Sequence, residues 1–404
     1  MANSIISHIM ESISRLFTPT EGSFFLLGPR GTGKSWWTRL AFPDALVVDL
    51  LDPATVRQLQ ARPERLESIL DGQPEPGPVI IDEVQRVPEL LNVVHRLIER
   101  KRGWRFILTG SSARRLRRGG VNLLGGRAAL ESFHPWMAGE LGAQFSLASA
   151  LERGLVPGVL ASPDPDAALA AYCGIYVREE VQAERLVRNV GDFSRFLEAA
   201  SFSHAAQLSV ANVARECQVE RKTVESYVTI AEDLLLATRL EPFTRRAKRA
   251  LATHPKFYFF DAGVFRSLRP AGPLDRRDEA DGAALEGLVF QHLQTWAAWG
   301  GMGAKRSLGF WRTRSGNEVD FVVYAKDEFA AIEVKNTRAP READLKSLVR
   351  FSEDYPEAVT VLLHRGTERT RERGVWCVPV EQFLVRLHPA GSIAAAAQIP
   401  KPPK

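Results

Sequence analysis

Residues 24–35, Phe24-Phe25-Leu26-Leu27-Gly28-Pro29-Arg30-Gly31-Thr32-Gly33-Lys34-Ser35, decide the reading of this chain. Four apolar residues run into a glycine, as a buried strand does when it feeds a loop. The loop has the spacing G-x-x-x-x-G-K-[ST], and each part of that spacing has a physical task. The glycines let backbone amides turn inward and approach phosphate oxygens. The helix that follows presents its positive N-terminal end to the same place. Lys34 reaches the β- and γ-phosphates of a nucleotide, and the Ser35 hydroxyl ligates Mg²⁺. The same residues could make a glycine-rich turn that binds nothing. A strand before the loop and a helix after it favour the phosphate loop, formed by Gly28, Pro29, Arg30, Gly31, Thr32, Gly33, Lys34 and Ser35.

Further strands are predicted at 46–50, 78–81 and 105–109, with helical stretches between them. Strands alternating with helices imply an α/β fold around a parallel sheet. Val79-Ile80-Ile81-Asp82-Glu83 ends one of these strands in two acids. Asp82 would hold the hydration shell of Mg²⁺, and Glu83 would polarise the attacking water. An acid pair after a strand can also cap a helix, a reading that the upstream loop weakens. Leu108-Thr109-Gly110-Ser111-Ser112 ends the next strand. Ser111 there could sense the γ-phosphate or orient water, or the segment is a simple turn. Arg127, in Gly125-Gly126-Arg127, is a candidate arginine finger acting on a neighbouring subunit's ATP, or a surface arginine.

With 404 residues the chain is too long for one ordinary core, so two or three domains are expected. Its 53 basic residues nearly balance 48 acidic ones, and local clusters therefore say more than the net charge of +5. The three cysteines, Cys173, Cys217 and Cys377, are far apart and lack C-x-x-C spacing. That argues against a disulfide framework or a zinc site and fits a reducing, cytoplasmic setting. No apolar run approaches the length of a membrane span, and no membrane partner is expected. Residues 1–17 read as an amphipathic helix. The expected division is 1–150 for the nucleotide domain, 151–268 for a helical lid and helix-turn-helix, and 283–388 for a small α/β domain. Residues 269–282 make the best linker, and 389–404 a disordered tail.

Residues 208–227 stand on their own as a helix-turn-helix. Val210, Val213 and Ala214 would pack the first helix, and Cys217 to Val219 would turn. Val224 and Tyr227 of the second helix would face inward at i, i+3 spacing. In a DNA reader the N-terminal half of that second helix enters the major groove, and Arg221 and Lys222 are the candidates there. Glu220 and Glu225 would oppose phosphate. Residues 239–260 read as a β-hairpin with a basic turn, in which Arg245, Arg246, Lys248 and Arg249 could clamp a phosphate backbone. The alternative is a module that binds protein. Arg114-Arg115-Leu116-Arg117-Arg118 is a second basic cluster, lining a pore, contacting nucleic acid or simply solvated.

Toward the C-terminus, a helix is predicted over 284–296 and strands over 308–313, 318–324, 329–334 and 358–363. Asp320 lies on one strand and Glu333-Val334-Lys335 on the next. A hairpin would bring the two carboxylates side by side, with Glu333 and Lys335 on one face. Two carboxylates can share Mg²⁺, Lys335 can orient water, and Glu286 could supply a third acid. The pattern resembles that of the PD-(D/E)xK nucleases. A Glu333–Lys335 salt bridge without metal, or a fold that binds DNA without cutting, fits the same residues.

Taken in order, LLGPRGTGKS, VIIDEVQRVPELL, FILTGSSARRL, LLGGR and LSVANVARECQVERKTVESYVTIAEDLLL resemble a known family. HPKFYFFDAGV, LEGLVF, GNEVDFVV and AIEVKN complete the set. The family is that of bacterial and archaeal AAA-type ATPases with a C-terminal domain of unknown function. The resemblance covers nearly the whole chain. It implies a P-loop ATPase domain, then a winged helix, then a restriction-endonuclease-like fold, in a ring or other homo-oligomer. Gly154-Leu155-Val156-Pro157 departs from the family, whose members usually show Gly-Gly before a residue and Pro. The expected function is Mg-dependent ATP hydrolysis coupled to DNA binding or remodelling. The alternatives are an ATP-dependent switch that binds protein partners and an ATP-gated nuclease.

Overall fold

The structure is a computed structural model describing residues 13–111, 124–176, 189–245, 251, 254–272, 276–301 and 305–400. The basic residues 114–118, Arg246, Lys248 and Arg249 lie outside the described residues, as do residues 1–12 of the expected N-terminal helix. Residues 13–17 of that expectation are not helical; they run as irregular chain with Ile13 and Phe17 buried.

The chain divides into two compact units. The first is Thr18–His134, joined by Asp233–Leu235. Its sheet is built from β1 (Phe24–Leu27), β2 (Leu46–Asp49), β3 (Pro78–Asp82), β4 (Arg105–Gly110) and β5 (Ala129–Ser132), in the order β2-β3-β4-β1-β5. Every pairing is parallel. β1, β3 and β4 are apolar on both faces because helices cover both, as parallel sheets require. Helices Lys34–Ala41 and Leu90–Glu99 are among the crossovers. Leu90, Leu91, Val93, Val94 and Leu97 of the latter are buried with Ile81, Phe106 and Leu108 in one core.

The strand order sets the site. β4 lies between β1 and β3, with Leu27 beside Gly110 and Ile81 beside Leu108. The loop after β1, the acids ending β3 and the polar end of β4 therefore converge at one edge of the sheet. Ligands in open α/β sheets bind at such carboxyl ends.

The second unit holds the rest of the described residues. Helices Val210–Cys217 and Arg221–Asp233 are joined by a turn in which Gln218 adopts φ 56°. Ser209 caps the first of them, accepting from the Asn212 amide. β6 (Ala206–Gln207), β7 (Ala237–Leu240) and β8 (Lys256–Phe259) form a small antiparallel sheet with β8 in the centre. β9 (Ser307–Arg312), β10 (Glu318–Ala325), β11 (Glu328–Lys335), β12 (Val359–His364), β13 (Thr370–Glu372) and β14 (Val375–Pro379) form a mixed sheet, ordered β13-β14-β12-β11-β10-β9. Helix Lys346–Asp354 connects the parallel pair β11 and β12.

Phe243, just past β7, is buried in one core with Trp311, Val319 and Phe351, so the segments 151–268 and 283–388 pack against each other. Two expectations need correction. The linker expected over 269–282 is shorter, because helix Arg277–Ala298 starts inside it, with Asp278 and Glu279 complementing its first turn. The tail expected from 389 is packed through its apolar residues: Ile393, Ala394, Ala396 and Ile399 are buried, and Ser392 caps a short helix Ile393–Ala396. Only 401–404 of that stretch lie outside the described residues.

Candidate functional site

The phosphate loop is shaped by its glycines. Gly31 and Gly33 have φ 71° and 88°, the left-handed region that other residues enter at a cost. A Cβ on Gly28 would come within 2.1 Å of the Phe133 carbonyl oxygen, so β5 and the loop can lie this close only with glycine there. Lys34 opens helix Lys34–Ala41 and is buried. Its ammonium donates to the Gly28 and Pro29 carbonyl oxygens at 2.6 and 2.9 Å. The Thr32 hydroxyl donates to the Pro29 carbonyl at 2.7 Å and fixes the turn.

The structure brings Ser35, Asp82, Glu83 and Ser111 together, as their places at the sheet edge require. The Ser35 hydroxyl donates to Asp82 Oδ1 at 3.0 Å. Thr109 on β4 also donates to that oxygen, and its own hydroxyl accepts from the Glu83 amide at 3.2 Å. One hydroxyl thus ties both acids to β4. Glu83 sits at φ 59°, buried, in a conformation uncommon outside glycine and concentrated at functional sites. Gln85 bridges the rest: its amide nitrogen donates to the Glu83 carboxylate and, at 3.1 Å, to Ser111 Oγ. Its carbonyl oxygen is buried with no hydrogen-bond partner. Ser35 and Asp82 are hard oxygen donors a hydrogen bond apart beside the phosphate loop, which fits Mg²⁺ carried in with a nucleotide.

Thr109 and Gln85 are the residues that sequence reasoning missed. Both were visible beside motifs already read, in FILTG and DEVQ, but neither type signals chemistry alone. Arg127 stands apart from this network. It is half-exposed and paired with Glu99, and it also donates to the Gly125 carbonyl at 3.2 Å.

In the second unit, Arg221 and Lys222 are exposed at the start of their helix, as are Glu220 and Glu225, while Val224 and Tyr227 are buried. Arg245 stacks its guanidinium on Tyr324, 4.8 Å from the ring centre.

The C-terminal acids also meet, around a cation that the sequence reading did not foresee. β10 and β11 pair Phe321 with Ile332, so the next step sets Asp320 across from Glu333. Asp320 Oδ2 accepts from the Val334 amide at 2.9 Å. Lys256, on β8, is 1% exposed. Its ammonium lies 2.9 Å from Glu286, 2.5 Å from Glu318 and 3.2 Å from Asp320. Burial works to lower its pKa, but the carboxylates led by Glu286 outweigh burial and hold it well above the ordinary lysine value. The Tyr258 hydroxyl donates to Glu286 at 2.6 Å. Burial, helped by Asp320, pushes Glu286 up to about 7. Burial and the Asp320 charge raise Glu333 well above the usual carboxylate range, although Lys335 sits 2.6 Å away and opposes the shift. The Glu333–Lys335 salt bridge weighed from the sequence is therefore present. Glu318 and Lys256 carried no signal of their own, since one lies beside the motif and the other 64 residues before Asp320.

Three family models match successive parts of the chain. Residues 20–142 match the family described as AAA domain, residues 144–275 a domain of unknown function (DUF8612), and residues 281–383 another (DUF4143). Two proteins named as uncharacterized, from Mycobacterium bovis and Mycobacterium tuberculosis, are each 26% identical over 369 residues, covering 89% of this chain and 80% of the relative. Among solved structures, a Signal Transduction ATPase with Numerous Domains (STAND) protein with a tetratricopeptide repeat sensor, from Pyrococcus horikoshii, overlaps at 14% identity and a TM-score of 0.22. It covers 72% of this chain, which spans 45% of that protein, and an overlap this slight decides nothing about the site. Among the described residues, no helix is long and apolar enough to cross a membrane. The phosphate loop, the acids of β3 and the match over residues 20–142 agree: the N-terminal part of this chain is similar to AAA-type P-loop domains, which supports a nucleotide-hydrolysing activity.

Proposed function

We propose that this chain is a Mg-dependent ATP hydrolase that couples turnover to DNA binding or remodelling. The observation that carries the ATPase part is the hydrogen-bonded set Ser35, Asp82, Thr109, Glu83, Gln85 and Ser111 beside the phosphate loop. In this reading Lys34 holds the β- and γ-phosphates. Ser35 would ligate Mg²⁺ and Asp82 would hold its hydration shell, and the ion would supply neutralisation of the phosphate charge. Glu83 orients a water and takes up its proton as the water oxygen bonds to the γ-phosphorus. The bond from that phosphorus to the bridging oxygen then breaks, and ADP leaves. Ser111 stays in contact with the γ-phosphate. Arg127 would reach the ATP of a neighbouring copy in a homo-oligomer, leaving Glu99 to do so.

The DNA part rests on the two helices joined at Gln218 and the antiparallel strands that follow, an order of elements that fits a winged helix. Arg221 and Lys222 stand exposed at the end of the second helix that would meet a groove. Arg245, Arg246, Lys248 and Arg249 would lie along the backbone. Glu220 and Glu225, exposed on the same surface, favour a second reading in which this module binds protein and ATP sets a conformation. The deciding experiment is steady-state ATP hydrolysis by wild type and Lys34→Ala, with and without duplex and branched DNA. A Lys34-dependent rate raised several-fold by DNA is the expected result. A Lys34-dependent rate that ignores every DNA would replace the motor with the protein-binding switch.

A further inference from the structure

A nuclease of the type the C-terminal pattern resembles needs a divalent cation between its carboxylates. The residues here do not fit one. Glu286 from helix Arg277–Ala298 and Glu318 and Asp320 from β10 converge on one point. The Lys256 ammonium is already there, within 3.2 Å of all three. Lys256 is no surface side chain that swings in by chance. β8 is the central strand of its sheet, paired with β6 and β7, and all four of its residues are buried. Its aliphatic stem is enclosed, and its ammonium also lies 5.6 Å from the Phe310 ring centre. A metal ion and an ammonium cannot share the point, because both are cations and both need the same oxygens. Among the described residues, no group of three or more His, Cys, Asp or Glu side chains is set to hold a metal. Glu333 marks what is missing. It is 4% exposed, Lys335 takes one of its oxygens, and the other is buried without a hydrogen-bond partner. A carboxylate whose second oxygen faces no donor is what remains when a cation-centred arrangement is filled by a lysine that reaches only some of its oxygens.

We infer that Lys256 permanently fills the place of the divalent cation, so that the C-terminal sheet is a metal-free fold that does not cut nucleic acid. The carboxylates instead anchor β8 to β10 and helix Arg277–Ala298. Buried charges are stable only when compensated, so removing the ammonium leaves carboxylates that would accept another cation.

The test uses the full chain, free of nucleotide, with Mn²⁺ as the probe. Thermal denaturation of wild type and Asp320→Asn is followed with and without Mn²⁺, alongside plasmid nicking. Wild type should gain no Mn²⁺-dependent shift that Asp320→Asn removes, and should nick no DNA. Lys256→Met should melt lower in chelator and recover with Mn²⁺. By paramagnetic resonance it should bind one more Mn²⁺ per chain than wild type, at least tenfold tighter than any site there, and Asp320→Asn in the same background should abolish this. An Asp320-dependent Mn²⁺ shift or Asp320-dependent nicking in wild type overturns the inference. So does a folded Lys256→Met that binds no additional Mn²⁺. Should Lys256→Met not fold even in Mn²⁺, the wild-type and Asp320→Asn arms still decide.

Discussion

Lys34 folds its ammonium onto two carbonyl oxygens of its own loop. Nucleotide binding therefore exchanges neutral acceptors for charged phosphate oxygens, which make the stronger hydrogen bonds. Glu83 is held differently, by an amide. Gln85 donates to both the Glu83 carboxylate and Ser111, so one side chain fixes the water-orienting acid relative to the polar end of β4. Gln85 touches neither water nor phosphate in this scheme; it positions Glu83. Gln85→Ala should lower kcat by roughly tenfold while KM for ATP stays within about twofold, and Glu83→Gln should lower kcat further, by about 10²–10⁴-fold. Gln85→Glu, which cannot donate to a carboxylate when ionised, should behave like the alanine variant at pH 8 and recover toward lower pH. A Gln85→Ala enzyme whose KM rises as far as its kcat falls would show a damaged pocket instead. The residues that meet beside the phosphate loop were legible in sequence because phosphate chemistry restricts their types. Gln85 and Thr109 were not, because orienting a carboxylate takes only a donor at the right place, and many residue types supply one.

At the scale of elements, the two helices joined at Gln218 divide into a packed face and an exposed one. Val213, Ala214, Cys217, Val224 and Tyr227 are buried, so the pair of helices is set by packing, with Tyr227 edge-on to Phe193 at 5.4 Å. Arg221 and Lys222 are exposed and make no contribution to that packing. Reversing both, Arg221→Glu with Lys222→Glu, should leave the melting temperature within about 2 °C, as surface changes do. If they contact phosphates, duplex affinity should fall, and the slope of log K against log salt should lessen by about two. An unchanged slope would remove these residues from any DNA contact. This element was legible because its apolar spacing is regular. β5 and β13 were not. β5 is a short edge strand with Leu130 exposed, β13 is exposed throughout, and such strands lack the apolar alternation that marks a half-buried one. The packed residues after 389 escaped for a related reason. Alanines read as low complexity, yet a small side chain is what a close helix contact needs.

At the scale of the whole molecule, the larger unit is organised around helix Arg277–Ala298, which buries residues all round its circumference from Ala284 to Trp296. A helix apolar on every side has no solvent face, so polar residues on it must be satisfied inside. His292 is the case that can be measured. Its Nε2 accepts from the Ala138 amide at 2.9 Å, which leaves Nδ1 as the donor to the Leu288 carbonyl at 2.8 Å. Both ring nitrogens are used only by the neutral form, and burial lowers its pKa from 6.5 to about 4. The unfolded chain takes up a proton near pH 6.5 that the folded chain refuses until about pH 4, so this imidazole's contribution is whole above 6.5 and is lost as pH falls toward 4. Asp261 and Glu286, raised by burial to about 6 and about 7, act in the opposite sense over part of that range, so the raw pH profile mixes them. The difference between wild type and His292→Gln isolates the imidazole, because glutamine keeps an acceptor for the Ala138 amide and does not titrate. By denaturant unfolding, wild type should exceed the variant most at pH 7.5, and that advantage should shrink by about 2 kcal/mol at pH 4.5. An advantage that stays constant across the range would mean that water or a charge reaches His292, and that the helix does not close the core as described.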